Sequence, residues 1–204
     1  MSLALSSHAM KIKLRNGFCA ALITAVVAIA GRSALAAEPT AFELVKEGNK
    51  HVGEDAKDRV SQIRSDKSVG SLVPNVWHIV FYDPDASLKA TEVTFAGGKK
   101  LSVKRPTRLL EPITRAHKQL EKDKLKLDSD KAIDIATKDP LLKNLKLTNT
   151  QLWLEHGDDG PQWRVRLWAE KVHNPSATAE IGEVFLSAQD GKVLERHLHT
   201  NRAD

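Results

Sequence analysis

The chain has 204 residues, with 31 Lys and Arg against 26 Asp and Glu, a formal charge of +5. Four of the basic residues (Lys11, Lys13, Arg15 and Arg32) and no acid lie in the first 36 positions, which leaves 27 basic against 26 acidic side chains in the rest. That balance excludes general nucleic-acid binding, which needs a basic stripe to displace counterions. The one cysteine, Cys19, also lies in the leading segment, so the remainder has no disulfide, thiol nucleophile or Cys metal site.

Residues 1–36 read as a signal peptide. Lys11, Lys13 and Arg15 form the basic start, and Met10 offers a second initiation point. Positions 17–30 are an apolar run of 14 residues, shorter than the roughly 20 that span a bilayer as a helix. Ala34-Leu35-Ala36 supplies small residues for cleavage. Processing near Ala37 predicts a periplasmic or secreted protein of about 168 residues with no later membrane span.

In the first half, residues 37–106, Phe42, Val45 and Val52 fit one helical face. Ala56, Val60 and Ile63 fit a second at i, i+4, i+7. A strand follows over 76–82, with Trp77, Ile79 and Phe81 on one side and His78, Val80 and Tyr82 on the other. Residues 107–127 predict a linker helix, with Leu109, Ile113, Ala116 and Leu120 on one side and Pro112 at its start or at a kink. In the second half, residues 128–204, Asp128-Ser129 caps a helix over 130–138 that Pro140 ends. Strands are expected over 147–155, 162–171, 179–188 and 192–199, joined by Gly157-Asp158-Asp159-Gly160-Pro161, Asn174-Pro175-Ser176 and Asp190-Gly191.

The halves match. At an offset of 86, Trp77 meets Trp163, Ile79 meets Val165, Phe81 meets Leu167 and Tyr82 meets Trp168. Glu92-Val93-Thr94-Phe95 then meets Glu183-Val184-Phe185-Leu186, and Gly98-Lys99-Lys100-Leu101 meets Gly191-Lys192-Val193-Leu194. The expectation is an α+β protein of two helix-on-antiparallel-sheet units in tandem, each helix covering the apolar side of its own sheet.

Ser129-Asp130-Lys131-Ala132-Ile133-Asp134-Ile135-Ala136 resembles the helix opening of PepSY domains. The segment 183–194, Glu-Val-Phe-Leu-Ser-Ala-Gln-Asp-Gly-Lys-Val-Leu, resembles their closing hairpin, with Ser187 where an Asp is common. The likeness covers residues 127–199, and the first half is similar only as a degenerate copy. The resemblance implies small PepSY-like modules outside the cytoplasm that bind or inhibit peptidases. In outline, a tandem pair of such units is also similar to the secreted β-lactamase inhibitor proteins, a likeness of fold alone.

Alternation turns Arg164, Arg166 and Trp168 away from Trp163, Val165 and Leu167, and Trp153 away from Leu152 and Leu154. With Tyr82 from the first half, these are the residue types that dominate protein-binding hot spots. Two fates are open for them: an exposed patch, or a seam between sheets. His197 and His199 lie about 7 Å apart along one strand, and a metal would need a third ligand from His156 or His173. No Gly-x-Ser-x-Gly, His-Glu-x-x-His or phosphate-binding glycine loop is present. The sequence therefore predicts an exported noncatalytic binding module, with no cofactor, that engages an extracytoplasmic protein such as a peptidase. The alternative is a periplasmic carrier of a small ligand or metal, using a cleft between the copies or the histidine pair.

Overall fold

The computed structural model describes residues 38–105 and 119–204. The expected signal peptide and most of the expected linker helix lie outside the described residues. Of the linker's remainder, Lys122–Lys124 is a single 3-10 turn.

Among the described residues there are eight strands, of which β5 and β6 alternate most regularly between buried and part-exposed side chains: β1 (Val60–Ser65), β2 (Val76–Tyr82), β3 (Ala90–Ala96), β4 (Lys99–Lys104), β5 (Leu147–Gly157), β6 (Gly160–Lys171), β7 (Asn174–Ser187) and β8 (Val193–Leu198). They form one antiparallel sheet in the order β4-β3-β2-β1-β5-β6-β7-β8. This corrects the expectation of two helix-on-sheet units. Each half is a four-stranded meander, but β1 pairs with β5 through Ile63–Leu154 and Arg64–Trp153. The meanders are the two wings of a single sheet, so the cleft expected between copies is filled by a strand ladder.

The register carries one apolar row across all eight strands: Val103, Val93, Ile79, Ile63, Leu154, Trp163, Leu186 and Val193. Most of this row belongs to one continuous core that also takes in Trp77, Phe81, Phe95, Val165 and Leu167. The strand correspondence read from the sequence persists in this register. Trp77 faces Phe95 across β2 and β3, and Trp163 faces Leu186 across β6 and β7. Both indoles are buried, and each donates to a carbonyl, that of Pro74 at 3.1 Å and that of Leu127 at 2.8 Å.

Two short helices contribute to the same core. Helix α1 (Ala41–Gly48) begins with a capping box, in which the Thr40 hydroxyl accepts from the Glu43 N–H and the Glu43 carboxylate accepts from the Thr40 N–H. It buries Ala41, Leu44 and Gly48, while the predicted Phe42, Val45 and Val52 pack only partly against the core. A Cβ on Gly48 would lie 2.8 Å from Phe81 Cζ, so a bare backbone is what lets α1 approach β2 this closely. Helix α2 (Ser129–Thr137) begins at the predicted cap and buries Ala132, Ile133 and Ala136. The helix N-termini meet. Asp128 Oδ1 accepts from the N–H groups of Ser129 (2.6 Å) and Phe42 (3.1 Å), and Ser129 Oγ accepts from Ala41 at 3.0 Å. The Phe42 ring then reaches across to Trp163, with centroids 6.3 Å apart. The helical layer, like the sheet, is shared between the halves.

The second predicted helix of the first half is absent. Glu54–Ala56 is a 3-10 turn, and Val60 and Ile63 belong to β1. Side chains complete the β1–β5 seam beyond the short ladder. Ser65 Oγ accepts from the Leu152 N–H (2.9 Å), and Ser68 Oγ accepts from the Thr150 N–H (2.9 Å). Among the described residues no helix is long and apolar enough to cross a membrane.

Candidate functional site

The opposite sheet face carries a second row in register: Ser102, Thr94, His78, Arg64, Trp153, Arg164, Phe185 and Glu195. Its members are polar, charged or aromatic, and its centre holds most of the predicted binding residues. Trp153, Arg164, Arg166 and Trp168 all point to this face and are half-buried.

Contacts across β5 and β6 bring Trp153, Arg164 and Arg166 together, while Trp168 stands apart with its own cation. The Arg164 guanidinium lies 4.4 Å from the Trp153 ring centroid and that of Arg166 lies 4.9 Å from it. Trp168, at the far end of β6, carries Lys67 Nζ at 4.4 Å. A cation over an indole face is attracted by the ring quadrupole, and the contact also fixes long side chains that would otherwise roam. Tyr82 does not join the cluster. It sits at the end of β2, four positions from His78, and carries its own cation, Arg59, at 4.4 Å.

Carboxylates balance the cations unevenly. Arg166 donates to Glu183 at 2.7 Å through Nε, and Arg64 donates to Glu92 at 2.7 Å. Arg164 makes no aligned hydrogen bond among the described residues. Glu155 Oε1 approaches its Nε only to 3.5 Å, an ion-pair distance without hydrogen-bond geometry, and this Nε is buried without a partner.

The β1–β3 side of the face holds a compact ionic group. His78 Nδ1 is 3.1 Å from Glu92 Oε1, and His78 Nε2 is 3.2 Å from Asp66 Oδ1. The His78 contact, opposed by burial and aided by Arg64, holds Glu92 down at about 2. Nearby, burial of Asp83 opposes its ionisation. The Thr91 hydroxyl (2.6 Å), the Asp85 N–H and Arg105 outweigh that, and its pKa lies below the usual carboxylate range.

The histidines proposed for metal binding are dispersed. His197 is exposed, 3.2 Å from Glu195 and edge-on to Phe185 at 5.4 Å. His199 lies beyond the last residue of β8. His156 stands opposite Pro161 at one end of β6, whereas His197 falls in the row of Arg166 through Glu183. Among the described residues no three His, Cys, Asp or Glu side chains gather as a metal would require.

Sequence reasoning missed Lys67, Arg64 and the Asp66–His78–Glu92 group. Reading 56–63 as a helix removed the strand that turns Arg64 outward and starts the connection bearing Asp66 and Lys67. Comparison with family models, curated proteins and solved structures returns no match.

Proposed function

We propose that the chain is an exported, noncatalytic binding module. Its contact surface is the aromatic–arginine part of the outer sheet face, centred on Trp153, Arg164, Arg166 and Trp168. The observation that carries this reading is the stack of Arg164 and Arg166 on Trp153, beside Lys67 on Trp168, on the face opposite the shared core. Such a surface is ordered before any partner arrives, so docking immobilises little that is still free. The face is balanced in charge: Arg64, Lys67, Arg164 and Arg166 stand against Glu92, Glu155, Glu180 and Glu183. That mixture suits a protein surface better than a polyanion, which rewards uncompensated cations. The leader in residues 1–36 supports an extracytoplasmic partner, and the PepSY resemblance of residues 127–199 makes peptidases the first class to try.

The experiment immobilises the protein from residue 37 onward and exposes it to an envelope fraction. The wild type retains a protein that the Trp153→Ala/Trp168→Ala variant, folded by circular dichroism, does not. Retention of the same proteins at equal level by both forms, or of none by either, overturns the reading.

A further inference from the structure

Both margins of the sheet, β4 and β8, lack a further strand among the described residues. An open margin is a template for another strand, and lysines along it are a common guard. The margins differ in that guard. β4 carries Lys99, Lys100 and Lys104 and no acid in its 6 residues, so a second β4 alongside it would crowd like charges. β8 carries no lysine, and its charges alternate in sign and side. Glu195 and His197 stand on the outer side, 3.2 Å apart, and Arg196 between them is turned inward to Asp139. Apolar side chains border this margin too: Leu194 is 39% exposed, and Leu141, close to Asp139 in the chain, is 61% exposed.

Backbone direction selects the groups on offer. The His199 N–H donates to the Ile181 carbonyl of β7 at 2.7 Å. Alternation along an antiparallel ladder then turns the N–H and C=O of Leu198 and Arg196 to the open side. Two copies of β8 can pair antiparallel about a two-fold axis only in registers that keep inner side chains with inner ones. Pairing about Glu195 sets the two glutamates opposite each other, and pairing about His197 does the same to the histidines. Pairing about Arg196 sets each Glu195 opposite the His197 of the second copy, and each Leu194 opposite Leu198. The two arginines then meet at the axis already neutralised, each by the Asp139 of its own chain.

We infer that a second copy of this chain adds to β8 in the register centred on Arg196, so that two sheets become one across an axis perpendicular to them. Both outer faces then look to the same side, and the pair presents two aromatic–arginine surfaces together, which raises avidity for any partner that reaches both. The pairing itself does not depend on those surfaces binding a partner.

The test uses the processed protein, which lacks Cys19, the one cysteine of the chain. Sedimentation from micromolar to millimolar concentration shows a monomer passing to a dimer. Over the same range amide exchange slows at Arg196 and Leu198 and not in β4. Glu195→Cys and His197→Cys, both at exposed positions, are made as separate proteins and checked for folding by circular dichroism. Opposed residues of this kind lie about 4.5 Å apart at Cα, within reach of a disulfide. A mixture of the two proteins therefore cross-links in air. Either alone, its cysteines about 7–8 Å apart on a diagonal, cross-links about tenfold more slowly or not at all. Glu195→Lys sets a cation against His197 on both sides of the axis and weakens association about tenfold or more, and adding His197→Glu restores it. The inference falls if the protein stays monomeric at millimolar concentration or if β4 amides gain the protection instead. It falls equally if one cysteine protein alone cross-links as fast as the mixture, if Glu195→Lys associates as the wild type does, or if His197→Glu fails to rescue it.

Discussion

The two wings of the sheet agree on one side and differ on the other. On the inner side, Trp77 with Phe95 and Trp163 with Leu186 occupy matching cross-strand positions, as do Ile79 with Val93 and Val165 with Val184. On the outer side the first wing places His78, Glu92, Asp66 and Arg64, a tight ionic group, whereas the second places Trp153, Arg164, Arg166 and Trp168, a cationic–aromatic one. Packing fixes the inner residues because each must fill a volume among close-packed neighbours. The outer residues answer only to their cross-strand partners and to whatever lies beyond, so the two wings can carry different chemistry on one scaffold.

The largest effect should come from the inner side, where the wings ought to behave alike. Trp77→Ala and Trp163→Ala should each cost about 3–5 kcal/mol. Because the core is continuous, either should lower one cooperative unfolding transition, followed by circular dichroism in denaturant. Separate transitions for the wings would break the comparison. A smaller effect sharpens the outer contrast. Glu92→Gln should cost about 1.5–3 kcal/mol at neutral pH, the worth of charge-assisted hydrogen bonds. Glu92 has a folded-state pKa of about 2 against an ordinary 4.5. Its stabilisation is therefore complete above 4.5 and lost as pH falls through about 2. Wild type and variant should converge in acid-denaturation curves there, and a gap persisting at low pH would show that the carboxylate acts by packing. The smallest effect tests the shared helical layer. Asp128→Ala removes the cap of α2 and the bond to Phe42 of α1, and should cost about 1–2 kcal/mol. It should also speed amide exchange at Phe42, in the wing to which Asp128 does not belong.

Much of the second wing was legible. Its strands alternate cleanly, its turns carry Gly, Asp and Asn, and Asp128 announces α2. The outward set of Trp153, Arg164, Arg166 and Trp168 followed from alternation alone. The first wing hid β1 for a physical reason. Ser65 occupies an inward position because the β1–β5 seam uses its hydroxyl to hold the Leu152 N–H. A buried serine erases the apolar–polar rhythm, and Ala56, Val60 and Ile63 then mimic a helical stripe. Without β1 the sequence divides into two separate units and gives Lys67 no route to Trp168. Pairing between strands far apart in the chain leaves no local signature, so the single sheet could be found only in three dimensions.

The seam also orders assembly. Ser65 and Leu152 lie 87 positions apart, and such a contact closes a long loop before it returns any stabilisation. A chain made from its N-terminus has β1 to β4 in hand while one side of β1 still lacks its mate. That raw margin stays open to stray strands until β5 emerges, and the earlier-made wing must wait for the later one before it is finished.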